Sequence, residues 1–283
     1  MTKISYLNGE FLPHEKCLVH IEDRGFQFAD GVYEVTLFKN SKLIDGEPHI
    51  DRLFRSLNEM KIPHNFKKED LLKMQIDLFA KNEMKEGICY LQITRGATNR
   101  VPYFPKNLTP TISATVALGK KMTEEEFEKG VSIMTHEDIR WKRCDIKSVA
   151  LFASSFINQK AKDLSFDDAI FVRDGIVTEG TFANAFIVDS NENLITKAPD
   201  NLILQGITRN RLIELAHKSG MKIIERNFDV AEMIAAKEVF LTSSSLILRP
   251  VTKIDGKIIG NGKAGEIAKN LHKLYHDFII SGT

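Results

Sequence analysis

The sequence predicts a two-domain protein of mixed class, an α+β unit followed by an α/β unit, and three observations carry that prediction. A chain of 283 residues is long enough for one large domain or two ordinary ones. Its first part combines hairpin signals with helical periodicity. After Gly119-Lys120-Lys121 the pattern breaks, and strands then mix with longer helical segments. A smaller N-terminal domain is expected at 1–119, a linker at 120–123 and a larger C-terminal domain at 124–283.

The elements follow in order. Asn8-Gly9 lies between Tyr6-Leu7 and Phe11-Leu12, and this pair suits a tight turn with positive φ. A second hairpin is expected over Glu34–Ile44, turning near Asn40-Ser41. Ile50, Leu53, Phe54, Leu57 and Met60 recur at helical spacing, and a second helix should cover Lys68–Asn82. Gly87–Arg95 and Thr111–Leu118 read as strands around a proline-rich loop at Gly96–Pro110. A helix start follows at Thr123-Glu124-Glu125-Glu126. Beyond it, strands are expected near Val131–Thr135, Ala169–Arg173, Ala185–Asp189 and Lys222–Glu225. Helices are expected near Val149–Asp163, Thr208–Ser219 and Ala264–Ile280, with hairpins at Asp174-Gly175 and Asp255-Gly256.

Composition narrows the function. Hydrophobic residues make up 43% and charged residues 27%, which is the balance of an ordered globular chain. Thirty-nine basic residues against 38 acidic ones leave a net charge of +1, so a general binder of nucleic acid or membrane surface is not expected. Cys17, Cys89 and Cys144 are odd in number and form no CxxC, which argues against a disulfide framework and a metal site. No apolar segment resembles a signal peptide or a membrane span, and a cytoplasmic setting is the expectation.

Four stretches carry possible chemistry. In IRWKRCDIKSVALF, Lys147 stands where an apolar run begins. If Ser148 caps a helix whose apolar face is Val149, Leu151, Phe152 and Phe156, then Lys147 lies beside a positive helix end and apolar walls. Both disfavour the ammonium and suit a lysine to Schiff-base chemistry. A solvated lysine at a rim is the alternative. Glu179, at a strand end in VTEGTFANAFIVD, can pair with a cationic ring nitrogen or face water in a turn. In LQGITRNRLIELA a helix start with free N–H groups and a hydroxyl can hold an anion, or Thr208 is a plain cap. The serines of FLTSSSLILRP can complete a phosphate cradle or form an ordinary turn. Together the four supply what pyridoxal phosphate requires.

RGFQFADGVYEV (24–35), HIDRL (49–53), RCDIKS (143–148), TEG (178–180) and GITR (206–209) resemble the fold-type IV pyridoxal-phosphate aminotransferases. The likeness spans nearly the whole chain, and DGVYEV with HIDRL leans towards the D-amino acid branch. The resemblance implies that Lys147 carries the cofactor and shuttles the Cα proton, and that Glu179 pairs with the pyridinium nitrogen. It assigns the phosphate to a bidentate Arg52 with Ile207, Thr208, Ser243 and Ser244, the ring face to Leu204, and the surroundings of the phenolic oxygen to Arg140. Tyr33, Arg100 and Phe182 fall on the substrate side. Arg100 reaches across a homodimer to the partner's substrate carboxylate.

The implied reaction moves an amino group from a D-amino acid such as D-alanine to 2-oxoglutarate, giving pyruvate and D-glutamate. The D preference rests on the resemblance alone. A branched-chain L-amino acid aminotransferase and an aminodeoxychorismate lyase stand as alternatives. Three departures bear on substrate range. Pro102 stands where that branch carries a histidine, Phe182 where small polar residues are usual, and Arg249 either serves a second carboxylate or lies on the surface.

Overall fold

Asn8-Gly9 turns the chain with φ of 49° and 101°. It joins β1 (Ile4–Leu7) to β2 (Glu10–Pro13) as an antiparallel hairpin. A computed structural model of the chain describes residues 2–281 and divides into two units. The first comprises Met1–Gly119 with Ile146–Leu151, the second Lys120–Asp145 with Phe152–Thr283.

In the first unit, a short helix α1 (Arg24–Phe28) precedes β3 (Gly31–Lys39) and β4 (Lys42–Leu43). Asn40 and Ser41 link those two strands with φ of 51° and 59°, the left-handed geometry of a two-residue hairpin turn. Then come α2 (Gly46–Glu59), α3 (Lys68–Lys81), β5 (Gly87–Thr94) and β6 (Thr111–Ala117). Among the described residues the strands form a six-stranded sheet, ordered β2-β1-β6-β5-β3-β4, antiparallel throughout. The apolar stripes of the two helices cover one face of it. Ile50, Leu53 and Leu57 of α2 and Leu71, Leu78 and Phe79 of α3 pack with Val32, Phe38, Leu91 and Ile93. Phe38 and Phe79 stack with centroids 4.0 Å apart.

The second unit opens with α4 (Glu124–Lys129), where Thr123 and Glu126 form a reciprocal capping box. β7 (Val131–Glu137), α5 (Phe152–Asp163), β8 (Asp168–Arg173), β9 (Ile176–Gly180), β10 (Asn184–Val188) and β11 (Leu194–Thr196) follow. Next are α6 (Ile207–Lys218), β12 (Ile223–Glu225), α7 (Val230–Ala235), β13 (Glu238–Ser243), β14 (Ile247–Ile254), β15 (Lys257–Ile258) and α8 (Glu266–Ser281). The sheet is ordered β12-β11-β10-β13-β14-β7-β8-β9, with β15 on β14. It is mixed: β7 lies parallel to β14 and β8, and β11 parallel to β12, while the other pairs are antiparallel. Every residue of β10 is buried, so both faces of the sheet are covered there.

Two expectations are corrected. Ser148 does not cap a helix. Tyr33 N–H donates to the Lys147 carbonyl and Val149 N–H to the Gly31 carbonyl, both at 3.0 Å, and Ser148 bridges Val32 in strand fashion. These bonds with β3 hold the segment extended, so Ile146–Leu151 belongs with the first unit and α5 begins only at Phe152. The proposed apolar face also fails, because Phe152 is 81% exposed and Phe156 55%, while Ser154, Ile157 and Ala161 are buried.

Among the described residues no helix is long and apolar enough to cross a membrane. The cysteines are free, and burial pushes the Cys89 thiol up to about 12. Leu53 is fully buried at the centre of the first core. Leu53→Ala should therefore lower stability by about 2–5 kcal/mol, read as a lower urea midpoint at unchanged m-value.

Candidate active site

In the first unit the extended segment beside β3 sets Lys147 on a prepared surface. Its main chain is tied to Tyr33, and its N–H reaches Ser56 Oγ of α2 at 3.4 Å. The half-buried side chain runs over the ring of Tyr33, with Nζ 4.3 Å from the centroid. Tyr33 in turn stacks on Tyr90 of β5 at 5.5 Å, so the ring under the lysine is supported from behind.

Next to Tyr33 on β3 is Glu34, which is fully buried. Its side chain accepts from Arg52 Nε and Nη2, each at 2.8 Å, and pairs with His49 Nδ1 at 2.7 Å. His49 and Arg52 are three apart on α2, which puts both on the helix face turned to the sheet. Burial alone raises the Glu34 carboxyl, but Arg52 and His49 outweigh it and hold it near 2. Burial also keeps His49 below its ordinary range, with Arg52 and Lys147 acting in the same direction against Glu34. The guanidinium fork that the resemblance turns to phosphate is therefore engaged by Glu34 at Nε and Nη2. Neither Glu34 nor His49 stands out by residue type, since both lie inside apolar periodicities. Their signal is the pairing of two strand and helix positions that only the packed unit brings together.

Arg100 lies elsewhere in the same unit, exposed on the loop after β5, with its guanidinium carbon 4.9 Å from the Phe28 centroid. Pro102 is exposed on that loop too.

In the second unit, Glu179 sits one residue before the end of β9 and is buried. Oε1 accepts from Arg140 Nη1 at 2.5 Å, and Oε2 accepts from Asn184 Nδ2 at 3.1 Å and from the Leu204 N–H at 3.0 Å. Arg140 is held on its other edge by Asp138, with Nε and Nη2 each at 2.9 Å. Arg140 thus faces two buried acids, which is where its charge is required. Burial raises the Glu179 carboxyl above its usual range despite Arg140 and the Leu204 amide. In Asp138, burial also acts upwards, but Arg140 more than reverses it and the group is lowered.

Asn184 was not expected from sequence, yet it organises this corner. Besides Glu179, its amide donates to the Leu204 carbonyl at 2.7 Å. A side-chain carbon at position 206 would lie 2.1 Å from Asn184 Oδ1, which is why Gly206 stands there. Gly206 precedes α6 without a side-chain cap, so the first N–H groups of the helix, at buried Ile207 and Thr208, are presented by a bare N-terminus. Asn184 also pairs across the strands with Thr242, one residue before Ser243. Ser243 and Ser244 lie at the turn from β13 to β14, where Ser243 Oγ contacts Ser245 Oγ at 3.4 Å.

Phe182, half exposed, follows Thr181 in the tight connection from β9 to β10. Thr181 donates to Asp168 Oδ1 at 2.5 Å, and Arg249 pairs with Asp168 Oδ2. Arg249 is thus part of an ion pair with Asp168 and is part-exposed.

The donor set suits pyridoxal phosphate. A bare helix N-terminus beside serine hydroxyls fits a phosphate. Each carboxylate oxygen offers two acceptor sites, and Oε1 of Glu179 receives a single donor among the described residues, so it can take a ring N–H as well.

The family described as amino-transferase class IV matches residues 31–254. The D-alanine aminotransferase of Bacillus licheniformis is 40% identical over 277 residues, covering 98% of this chain and 97% of the relative. That of Staphylococcus epidermidis is 35% identical, covering 99% of each. Among solved structures, a branched-chain amino acid aminotransferase from Escherichia coli superposes with a TM-score of 0.91 at 21% identity, covering 98% of this chain and 94% of that one. A hypothetical aminotransferase from Mycobacterium tuberculosis, in its PLP-bound form, superposes at 0.86 with 23% identity, covering 99% and 100%.

Glu34 yields a test of the first unit. A carboxyl held near 2 contributes stability that is present above its ordinary value of 4.5 and is lost as the pH falls through about 2. Glu34→Gln should destabilise by about 3–5 kcal/mol at neutral pH, because it removes the buried counter-charge of Arg52. Urea midpoints measured from pH 6 to pH 3 should fall less steeply in the variant than in the parent.

From its sequence and fold, this chain is a member of the class IV aminotransferases.

Proposed function

We propose that the protein is a pyridoxal-phosphate-dependent D-amino acid aminotransferase, moving the amino group of a D-alanine-like donor to a 2-oxo acid such as 2-oxoglutarate. The observation that carries the reading is 40% identity, over nearly the full length of both chains, to a relative named for D-alanine. The likeness to branched-chain enzymes is at 21% identity and supports the backbone alone.

Lys147 would hold the cofactor covalently, Glu179 its ring nitrogen, and Leu204 its ring face. Ile207, Thr208, Ser243 and Ser244 would take the phosphate together with Arg52. When bound, the cofactor's protonated ring withdraws electrons from the substrate Cα. The chain's own residues then do the rest. The amine of Lys147, released when the substrate amine takes its place on the cofactor, would take the proton from Cα and deliver it to the cofactor carbon that bears the amino nitrogen. Glu179, whose burial makes it a stronger base than an exposed glutamate, keeps the proton on the ring nitrogen. Arg140 and Asn184 keep that carboxylate from turning. Tyr33 and Arg100 would receive the substrate carboxylate, Arg100 from the second subunit of a homodimer, and Phe182 would narrow the side-chain space. The reading places the enzyme in the cytoplasm.

Spectroscopy and kinetics of the loaded enzyme test this. The near-visible cofactor band of the loaded enzyme should be lost on adding D-alanine and restored by 2-oxoglutarate, and L-leucine should leave it unchanged. Loss of the band with L-leucine alone would move the protein to the branched-chain group, and pyruvate release without an amino acceptor would identify a lyase. Lys147→Ala should abolish steady-state transamination. Glu179→Gln should lower kcat by about 10²-fold or more, since it removes a preorganised charge at the ring nitrogen.

A further inference from the structure

The loop that carries Arg100 is anchored by a cluster of the first unit that the proposed chemistry leaves unused. Arg24, at the start of α1, and Arg95, just past β5, share the buried carboxylate of Asp30. Both Nε atoms donate to Asp30 Oδ2 at 2.7 Å, and Arg95 Nη2 donates to Oδ1 at 3.0 Å. Arg95 continues to the carbonyls of Met60 and Lys61, and Arg24 Nη1 donates to the Val101 carbonyl at 2.7 Å. The residue next to Arg100 is therefore tied to a buried ion cluster. The ring of Phe28, at the end of α1, then takes two cations: the guanidinium carbon of Arg24 at 4.6 Å from its centroid and that of Arg100 at 4.9 Å.

The charge balance explains why an aromatic ring stands there. Arg24 and Arg95 share the one carboxylate of Asp30, while buried Asp23 is turned to the Gly25 N–H, Thr94 and Thr111, so a third guanidinium beside the pair meets repulsion. The negative face of a phenyl ring offsets part of that repulsion and gives Arg100 a flat surface to lie on. Arg100 remains exposed and short of negative partners among these groups, which suits it to an incoming anion.

We infer that Phe28 is a positioning residue for substrate recognition, its ring holding the Arg100 guanidinium where the substrate α-carboxylate is received while the Arg24–Val101 bond fixes the loop. The inference rests on the carboxylate role proposed for Arg100.

Steady-state kinetics of the loaded enzyme with D-alanine and 2-oxoglutarate test it. Phe28 is part-exposed, and Phe28→Leu keeps apolar bulk while removing the ring. The expected result is a rise of about two- to fivefold in KM for both substrates with kcat nearly unchanged, the signature of lost uniform binding. Phe28→Tyr should restore the parent values. Made in an Arg100→Met background, Phe28→Leu should add nothing further, because the two residues act through one contact. An unchanged KM in Phe28→Leu overturns the inference, as does a KM increase that persists undiminished in the Arg100→Met background. If Arg100→Met alone leaves KM for both substrates unchanged, the carboxylate role of Arg100 fails, and the inference falls with its premise.

Discussion

The carboxylate of Glu179 is buried, and a buried carboxylate is tolerated only where other groups replace the water it has lost. Three donors do so, from Arg140, Asn184 and the Leu204 amide. Each donor has its own restraint. Asp138 grips the opposite edge of Arg140, and Arg173 reaches both Asp138 and the Arg140 carbonyl. Asn184 begins β10 and is bound to Leu204 as well. The loops around 138–140 and 202–206 and the ends of β9 and β10 are therefore set by one requirement, the neutralisation of one charge. Two acids and two arginines balance within that cluster, so the site is stiff without being strongly charged.

The first unit solves a similar problem around Glu34. Arg52 and His49 come from one face of α2 and meet a strand residue whose neighbour, Tyr33, lies under Lys147. The same packing that buries the ion pair fixes the ring beneath the lysine. Preorganisation of this kind would serve the role proposed for Lys147, because a reacting amine misplaced by an ångström loses much of its effectiveness. The Asp30 cluster repeats the device a third time, with two guanidiniums on one carboxylate, to hold a loop that has no regular structure of its own.

The fold is shared with branched-chain enzymes at a TM-score of 0.91, while full-length identity points to relatives named for D-alanine. A shared backbone at 21% identity sets strand order and leaves loops free to differ. Arg100 and Phe182, proposed for the substrate side, and Pro102 all stand on connections. Arg249, an apparent candidate for a second carboxylate, is engaged by Asp168 and serves the β9–β10 connection through Thr181.

Much of the secondary structure was legible in the residues. The stripe from Ile50 to Leu57 marks α2, Asn8-Gly9 and Asp174-Gly175 mark turns that need positive φ, and Thr123 with Glu126 marks a helix start. These signals are local, set by steric limits and by side chains within a turn of one another. Gly206 was legible too, because the close approach of Asn184 Oδ1 leaves no room for a side chain there. The start of α5, the partner of Arg249, and the roles of Asn184, Asp138 and Glu34 were not. Lys147 stays extended because its carbonyl is taken by Tyr33, a residue from the far end of the first unit's chain, and Arg140 meets Glu179 across 39 positions. Residue order alone therefore settles which segments turn, coil or extend and which side chains are able to do the chemistry. Which charges face each other is settled by folding, since a buried ion pair is specified by the packing of distant elements and leaves no periodic trace in the chain.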